Sequence, residues 1–240
     1  MPDFSRRAFT PELMDSAATS FADYRDCLRN LSRVNLLTLG YRPTLHFLDR
    51  LADAGRFSDS RPTSIVDVGC GHGDMLRKIV GWAARRRIVV ELTGVDADPR
   101  AVRAAAADTG GETGIRFVAS DVFSYAPPGG IDIVISGLFA HHLDDAALVR
   151  FVGWMEKASR IGWFVNDLHR HPIPYVVFRA WSRAAGWHRF VQHDGPVSIS
   201  RAFDTEDWRR ILAAAAVPQG AATIAWWMPF RLCVARVRAE

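Results

Sequence analysis

Lysine is nearly missing from this chain. Of its 30 lysine and arginine residues only Lys78 and Lys157 are lysine, a skew that genome composition explains as readily as function. The resulting net charge of +4 is modest and gives no strong electrostatic footprint for nucleic acid. Long apolar runs are absent too. No stretch of about 18 apolar residues occurs, so no membrane-spanning helix is expected. Residues 1–11 carry charges and a proline without an apolar segment, which is not the pattern of a secretory signal. Three cysteines, Cys27, Cys70 and Cys233, are odd in number and far apart, so neither a disulfide framework nor a zinc site follows. A reducing cytoplasm is the expected compartment. What remains is a chain of 240 residues, 49% hydrophobic, suited to one large domain or to a domain with an appendage.

The informative stretch is SIVDVGCGHGD, residues 64–74. An apolar strand carrying Asp67 runs into glycines at 69, 71 and 73 and then into a helix beginning near Met75. Glycines at a strand-to-helix turn let the backbone approach a ligand, because no Cβ holds it off. A glycine loop alone is weak evidence, so the spacing decides. Dinucleotide enzymes use G-x-G-x-x-G. Here the spacing is G-x-G-x-G, and Asp74 stands where the third dinucleotide glycine would fall. Two further carboxylates follow strand ends. Residues 89–95 read as a strand closed by Asp96-Ala97-Asp98-Pro99, and a carboxylate there is placed to accept hydrogen bonds from two ribose hydroxyls. Residues 115–119 read as the next strand, followed by Ser120-Asp121-Val122.

This series resembles the first motifs of the class I S-adenosylmethionine-dependent methyltransferases, more narrowly the bacterial enzymes acting on phenolic, quinone-like or polyketide-type natural products. The resemblance covers residues 64–240 as fold and 64–137 as motif. It implies S-adenosylmethionine as cofactor, with Asp67, Gly69, Cys70, Gly71, Gly73, Asp96, Ala97, Asp121, Val122 and Ser136 around it, Asp121 meeting the adenine amine. A solvated-turn reading of Asp96 and Asp121 is the alternative. The Asn-Pro-Pro-Tyr type tetrapeptide that amino-methylating enzymes carry after strand four is lacking, which argues for an oxygen or carbon acceptor.

From residue 64 onward strands and helices alternate, the pattern of an α/β, Rossmann-like, doubly wound sheet. Seven strands are expected, the last antiparallel, as in the family. Residues 1–60 look helical: Leu28, Leu31, Asn35, Leu36 and Leu39 recur at helical spacing up to Gly40, and a second helix spans residues 44–54. They read as an N-terminal helical cap before a methyltransferase domain at 61–240. Within the cap, Arg33 and Asn35 can reach a substrate; surface charge on an amphipathic helix explains them equally well. Residues 167–203 exceed a usual crossover and mix Phe178, Trp181, Trp187 and Phe190 with arginines. An insertion at this sheet edge lies over the ligand crevice, and it reads as an acceptor lid. Aromatics interleaved with arginine also line single-stranded nucleic-acid sites, so an RNA methyltransferase or binding protein is the alternative function, with a nicotinamide reductase behind it.

Methyl transfer to a phenol benefits from a base, since the hydroxyl has a pKa of about 10. Two histidine clusters stand at the right sheet edge, Phe139-Ala140-His141-His142 after strand four and Asn166-Asp167-Leu168-His169-Arg170-His171 after strand five. His142, His169 and His171 are the candidate bases, with Asp167 a possible partner orienting His169; Phe139, His142 and His169 are candidate acceptor contacts, and His141 reads as structural. A magnesium site of the catechol type would need a carboxylate where Ser136-Gly137 stands, so hard-cation ligands are too few and a metal-independent reaction is expected. A small aromatic acceptor is the expected partner, without nucleic acid; the sequence leaves open whether the chain forms a homodimer.

Overall fold

The computed structural model describes residues 2–16, 18–111 and 114–239. Seven strands alternate with helices. β1 (Thr63–Val68), β2 (Val90–Asp96), β3 (Ile115–Ala119), β4 (Ile131–Gly137) and β5 (Ser159–Leu168) run parallel, and the sheet order is β3-β2-β1-β4-β5-β7-β6. β6 (Ala222–Trp227) and β7 (Arg231–Val237) close the sheet, with β7 antiparallel to both of its neighbours. The order reverses between β1 and β4, and a crevice forms beyond the carboxyl ends of strands at such a switch point. That is where the glycine loop falls.

The strands are apolar because they are covered on both faces. On one face α5 (Asp145–Ala158) and α8 (Thr205–Ala214) pack with Phe151, Met155 and Trp208 against Val134, Trp163 and Val165. On the other, α2 (Arg42–Asp53) and α3 (Asp74–Arg86) bury Leu48, Leu51, Leu76 and Ile79 against Ile65 and Ile133. Phe47 of α2 stacks on Phe164 of β5 at 4.8 Å between ring centres. Trp208 and Phe151 are fully buried, so truncating either to alanine should cost about 3–5 kcal/mol.

A third apolar cluster is peripheral to the sheet and shapes the crevice. It joins α1 (Phe21–Leu37) and α4 (Pro99–Thr109) to α7 (Arg189–Arg201) through Tyr24, Cys27, Leu28, Ala101, Ala104, Phe190 and Val191. α6 (Pro172–Ala184) and α7 are thus the two helices of the long segment after β5. The first helix starts at Phe21, a turn and more before the leucine spacing announces it, because Ser20 caps it by accepting from Asp23 N. Among the described residues no helix is long and apolar enough to cross a membrane.

Candidate active site

The loop after β1 turns through three glycines with positive φ, and they do different work. A Cβ on Gly69 would lie 2.5 Å from the Phe139 ring, and one on Gly73 would lie 2.7 Å from Phe117. Both are glycine for packing as well as for conformation. A Cβ on Gly71 (φ +49°) would meet only Leu28, at 3.7 Å, and Gly71 lines the main cavity. Gly71 is therefore the position where backbone stays bare toward a ligand. Its N–H donates to Asp96 Oδ2 (2.9 Å), while Asp98 N donates to Asp96 Oδ1 (2.9 Å). Burial holds the Asp96 carboxyl above its usual range, and these two N–H donors partly offset that. Each oxygen keeps a lone pair for a further donor.

The cavity is about 600 Å³ in volume, ample for a cofactor and a small acceptor. Cys70, Ala97, Asn35 and Phe139 line it. A smaller recess of about 60 Å³ adjoins it and is walled by Asp67, Ser136, Tyr41, Asp74 and Arg231. Ser136 spends its hydroxyl on Val68 O (3.0 Å). Tyr41 donates to Asp74 Oδ2 at 2.6 Å, and Arg231 donates to Asn35 Oδ1 at 3.0 Å. Burial pushes the Asp67 carboxyl well up, with Asp74 and Asp96 adding to it, and pushes the Arg231 guanidinium down. The recess sets acidic groups beside a guanidinium, which is complementary to the two ends of a zwitterion.

The other side of the cavity is assembled from distant parts. Arg7, buried, donates to His141 O and Leu143 O and pairs with Asp145. Arg201 of α7 donates to Thr10 O, His141 O and His142 O. These two guanidinium groups bind the N-terminal arm to the turn after β4, and the arm delivers Glu12 and Asp15 to the cavity wall. His141 Nδ1 lies 2.7 Å from Asp167 Oδ1, and its Nε2 lies 3.6 Å from Glu12 Oε1. Burial alone would lower the His141 pKa, but Asp167 and Glu12 outweigh it and hold it up at about 9. Glu12 is buried as well, yet His141, His142 and Ser198 bring it down to about 2. Two carboxylates and one imidazolium leave this trio with a net negative charge at neutral pH. His142 stands beside it with Nε2 3.8 Å from Glu12 Oε2 and Nδ1 3.4 Å from Asp15 Oδ2. Its side chain is 28% exposed and lines the cavity.

Several residues singled out in the sequence are placed elsewhere. His169 and His171 lie outside the cavity lining; their rings stack on one another at 5.7 Å, and His171 Nδ1 accepts from Ile173 N as the cap of α6. Asp167 orients His141 and not His169. Arg33 is exposed on α1, off the lining. Asp121 is exposed and accepts from Phe123 N (3.0 Å), and Val122 is packed in the core; neither lines the cavity, nor does Gly73. Sequence reasoning missed Glu12, Asp15 and Arg231, which carry no local motif. Glu12, His141 and His142 also form, among the described residues, one group of metal-ligand type, with ligand atoms within 4.8 Å of each other.

Residues 65–162 match a family model described as a methyltransferase domain. The match takes in β1 to β5 with the glycine loop and Asp96. The fold is shared with solved methyltransferases. The plantazolicin methyltransferase BpumL, in complex with SAH, is 12% identical with a TM-score of 0.60, covering 91% of this chain and 96% of that one. The CMeT domain of the citrinin polyketide synthase is 15% identical with a TM-score of 0.60, covering 82% and 52%. Magnesium protoporphyrin IX methyltransferase from Synechocystis PCC 6803, with bound SAH, is 13% identical with a TM-score of 0.54, covering 93% and 90%. No curated protein matches the chain in sequence. Topology, glycine loop and family match agree on a Rossmann-like methyltransferase domain around residues 65–162. These comparisons show a methyltransferase fold, with the family match confined to residues 65–162.

Proposed function

We propose that this enzyme methylates an oxygen of a small phenolic or quinone-like acceptor of natural-product type, without a metal ion, with His142 as general base. The observation that carries the reading is one cavity that joins the bare Gly71 backbone and Asp96 on one side to His142 and an apolar, aromatic wall on the other. The structural neighbours are named for plantazolicin, a polyketide and a magnesium porphyrin. Those acceptors differ widely, so the acceptor class rests on the cavity and not on the neighbours.

The donor set fits the cofactor part by part. Asp96 would take the ribose hydroxyls, Gly71 would give the close approach, Asp67 and Asp74 would face an ammonium, and Arg231 with Asn35 would offer donors to a carboxylate. Bound S-adenosylmethionine supplies an electrophilic methyl group on a sulfonium. Phe139, Leu138 and Phe178 line the cavity and exclude water from the acceptor's side, which together with alignment lowers the barrier of an in-line displacement. His142 takes the hydroxyl proton, worth roughly 10²–10⁴ in rate. Glu12 and Asp15 stabilise the imidazolium that results.

Incubation with labelled S-adenosylmethionine and a panel of phenols, quinols and RNA tests the acceptor class. Label is expected in a phenol or quinol, undiminished by EDTA. Label in RNA alone, or a chelator-sensitive reaction restored by a divalent cation, would replace this reading, the second by a metal site at Glu12, His141 and His142.

A further inference from the structure

The mouth of the cavity is apolar where solvent meets it. Leu37 at the end of α1 is 59% exposed, Val177 of α6 is 50% exposed and Trp181 is 37% exposed, and all three also line the cavity. Single exposed apolar residues need no explanation, but a contiguous group does. On α6, Ile173, Val176, Val177, Ala180 and Trp181 follow the i, i+3, i+4, i+7, i+8 spacing of one helical face. Ile173 and Val176 are 56% and 49% exposed, while Trp181 packs edge-on against Trp187, so among the described residues the face is bare at its N-terminal part. Met228, 66% exposed, precedes Pro229 and Phe230, which line the cavity.

Cations edge the α1 and α6 part of the mouth, while Asp15, 47% exposed, also lines the cavity. Residues 27–48 and 168–193, which hold the end of α1 and α6, carry no aspartate or glutamate. Arg33 lies between Leu36 and Leu37 on the helical projection of α1, and Arg179 and Arg183 edge the apolar face of α6. All three are exposed, and among the described residues none of them forms an ion pair. Several other arginines are paired: Arg25 and Arg29 with Asp108, Arg86 with Asp49 and Asp53, Arg170 with Asp204 and Asp207. An apolar stripe edged by unpaired cations is the pattern of a helix that lies in a lipid interface, its apolar side chains in the acyl boundary and its arginines at the anionic headgroups.

We infer that the cavity mouth is a docking face for an anionic lipid surface, seated through α6 and the end of α1. A folded polynucleotide would be drawn to the same arginines but has no use for Ile173 and Val176, which favours lipid. Docked in this way, the mouth opens onto the bilayer, and an apolar acceptor enters without crossing water. That consequence rests on the proposed acceptor class; the docking itself does not.

The test is co-sedimentation of the full chain with vesicles of phosphatidylcholine alone and of phosphatidylcholine mixed equally with phosphatidylglycerol. Binding is expected to the anionic vesicles, weakened by high salt, with a blue shift of tryptophan fluorescence that Trp181→Phe reduces. Ile173→Glu with Val176→Glu, both outside the cavity lining, should weaken binding at least about tenfold, and Arg33→Glu with Arg183→Glu should do likewise. No binding to anionic vesicles overturns the inference, as does binding that survives both double variants. RNA binding that needs these arginines, with no vesicle binding, assigns the face to nucleic acid. A dimer in solution that the Ile173→Glu, Val176→Glu variant dissociates assigns it to a second copy of the chain. Methyl transfer to a phenol persists in each of those cases, so loss of the docking claim is separable from loss of the acceptor assignment.

Discussion

The two walls of the cavity are built in opposite ways. The cofactor wall comes from a short span of chain: Asp67, Gly69, Gly71 and Asp96 sit on the ends of β1 and β2, adjacent strands held in parallel register from Thr63↔Val90 to Val68↔Val95. The acceptor wall is gathered from the N-terminal arm, the turn after β4, the end of β5 and α7, with Arg7 and Arg201 as its ties. A ligand common to a whole fold can be held by a motif, because its contacts follow from strand ends that the sheet itself fixes. A ligand particular to one enzyme is held by whatever the loops and lid bring together. The first wall is fixed by strand pairing. The second depends on buried ion pairs, and its stability depends on their charge states.

The sharpest way to break the contrast is at Gly71. Replacing Gly71 by Val puts a branched side chain into the cavity at a φ of +49°, which is strained for a β-branched residue. S-adenosylhomocysteine binding should be abolished while the fold persists, measured by calorimetry and circular dichroism. Retained affinity would place the cofactor elsewhere. Changes at Gly69 and Gly73 should instead destabilise the protein, since their Cβ positions clash with Phe139 and Phe117.

Next in size is the acceptor wall. His142→Gln should lower turnover by roughly 10²–10⁴ and leave cofactor affinity within about twofold, within the noise of a site that does not touch the cofactor. His169→Gln and His171→Gln should leave turnover near wild type, because neither lines the cavity. Wild-type turnover in His142→Gln would remove the base and leave positioning and desolvation to carry the reaction.

This division also explains what was legible in the sequence. The strand and helix alternation and the long segment after β5 follow from local periodicity and from the glycine and proline that punctuate it, whereas the antiparallel last strand follows from the family resemblance. The carboxylate at Asp96 is local as well. Glu12 was not legible, because its partners His141 and Ser198 lie on the far side of the chain and only burial of all three makes the contact. Asp167 was read as the partner of its sequence neighbour His169, but it faces the turn after β4 and meets His141. β5 ends at Leu168, so no strand pleat aligns His169 with Asp167. Beyond the strand, the His169 N–H donates to Phe230 O and its ring stacks on His171, outside the cavity lining. Asp121, at the end of β3, caps a short turn through Phe123 N, a role that any strand-to-turn junction can ask of an aspartate.

A smaller effect follows from the ion trio. His141 is held at about 9 by Asp167 and Glu12, above its unfolded value of about 6.5. Its contribution to stability is fully present below about pH 6.5 and is lost as pH rises through about 9. Thermal melts should therefore fall by roughly 5 °C or more between pH 7 and pH 10. In His141→Asn the protein should start less stable and lose less over that interval. An identical decline in both would mean that other groups set the alkaline limit.

The central claim is that the wall of β1 and β2 holds S-adenosylmethionine through Asp96. Its most direct test is calorimetric titration of S-adenosylhomocysteine into the wild-type protein and into Asp96→Ala. One site is expected in the wild type, weakened in the variant by about 1.5–3 kcal/mol, the range for hydrogen bonds to a charged group. Equal affinity in a folded Asp96→Ala protein, or binding of a nicotinamide dinucleotide in place of S-adenosylhomocysteine, would contradict it.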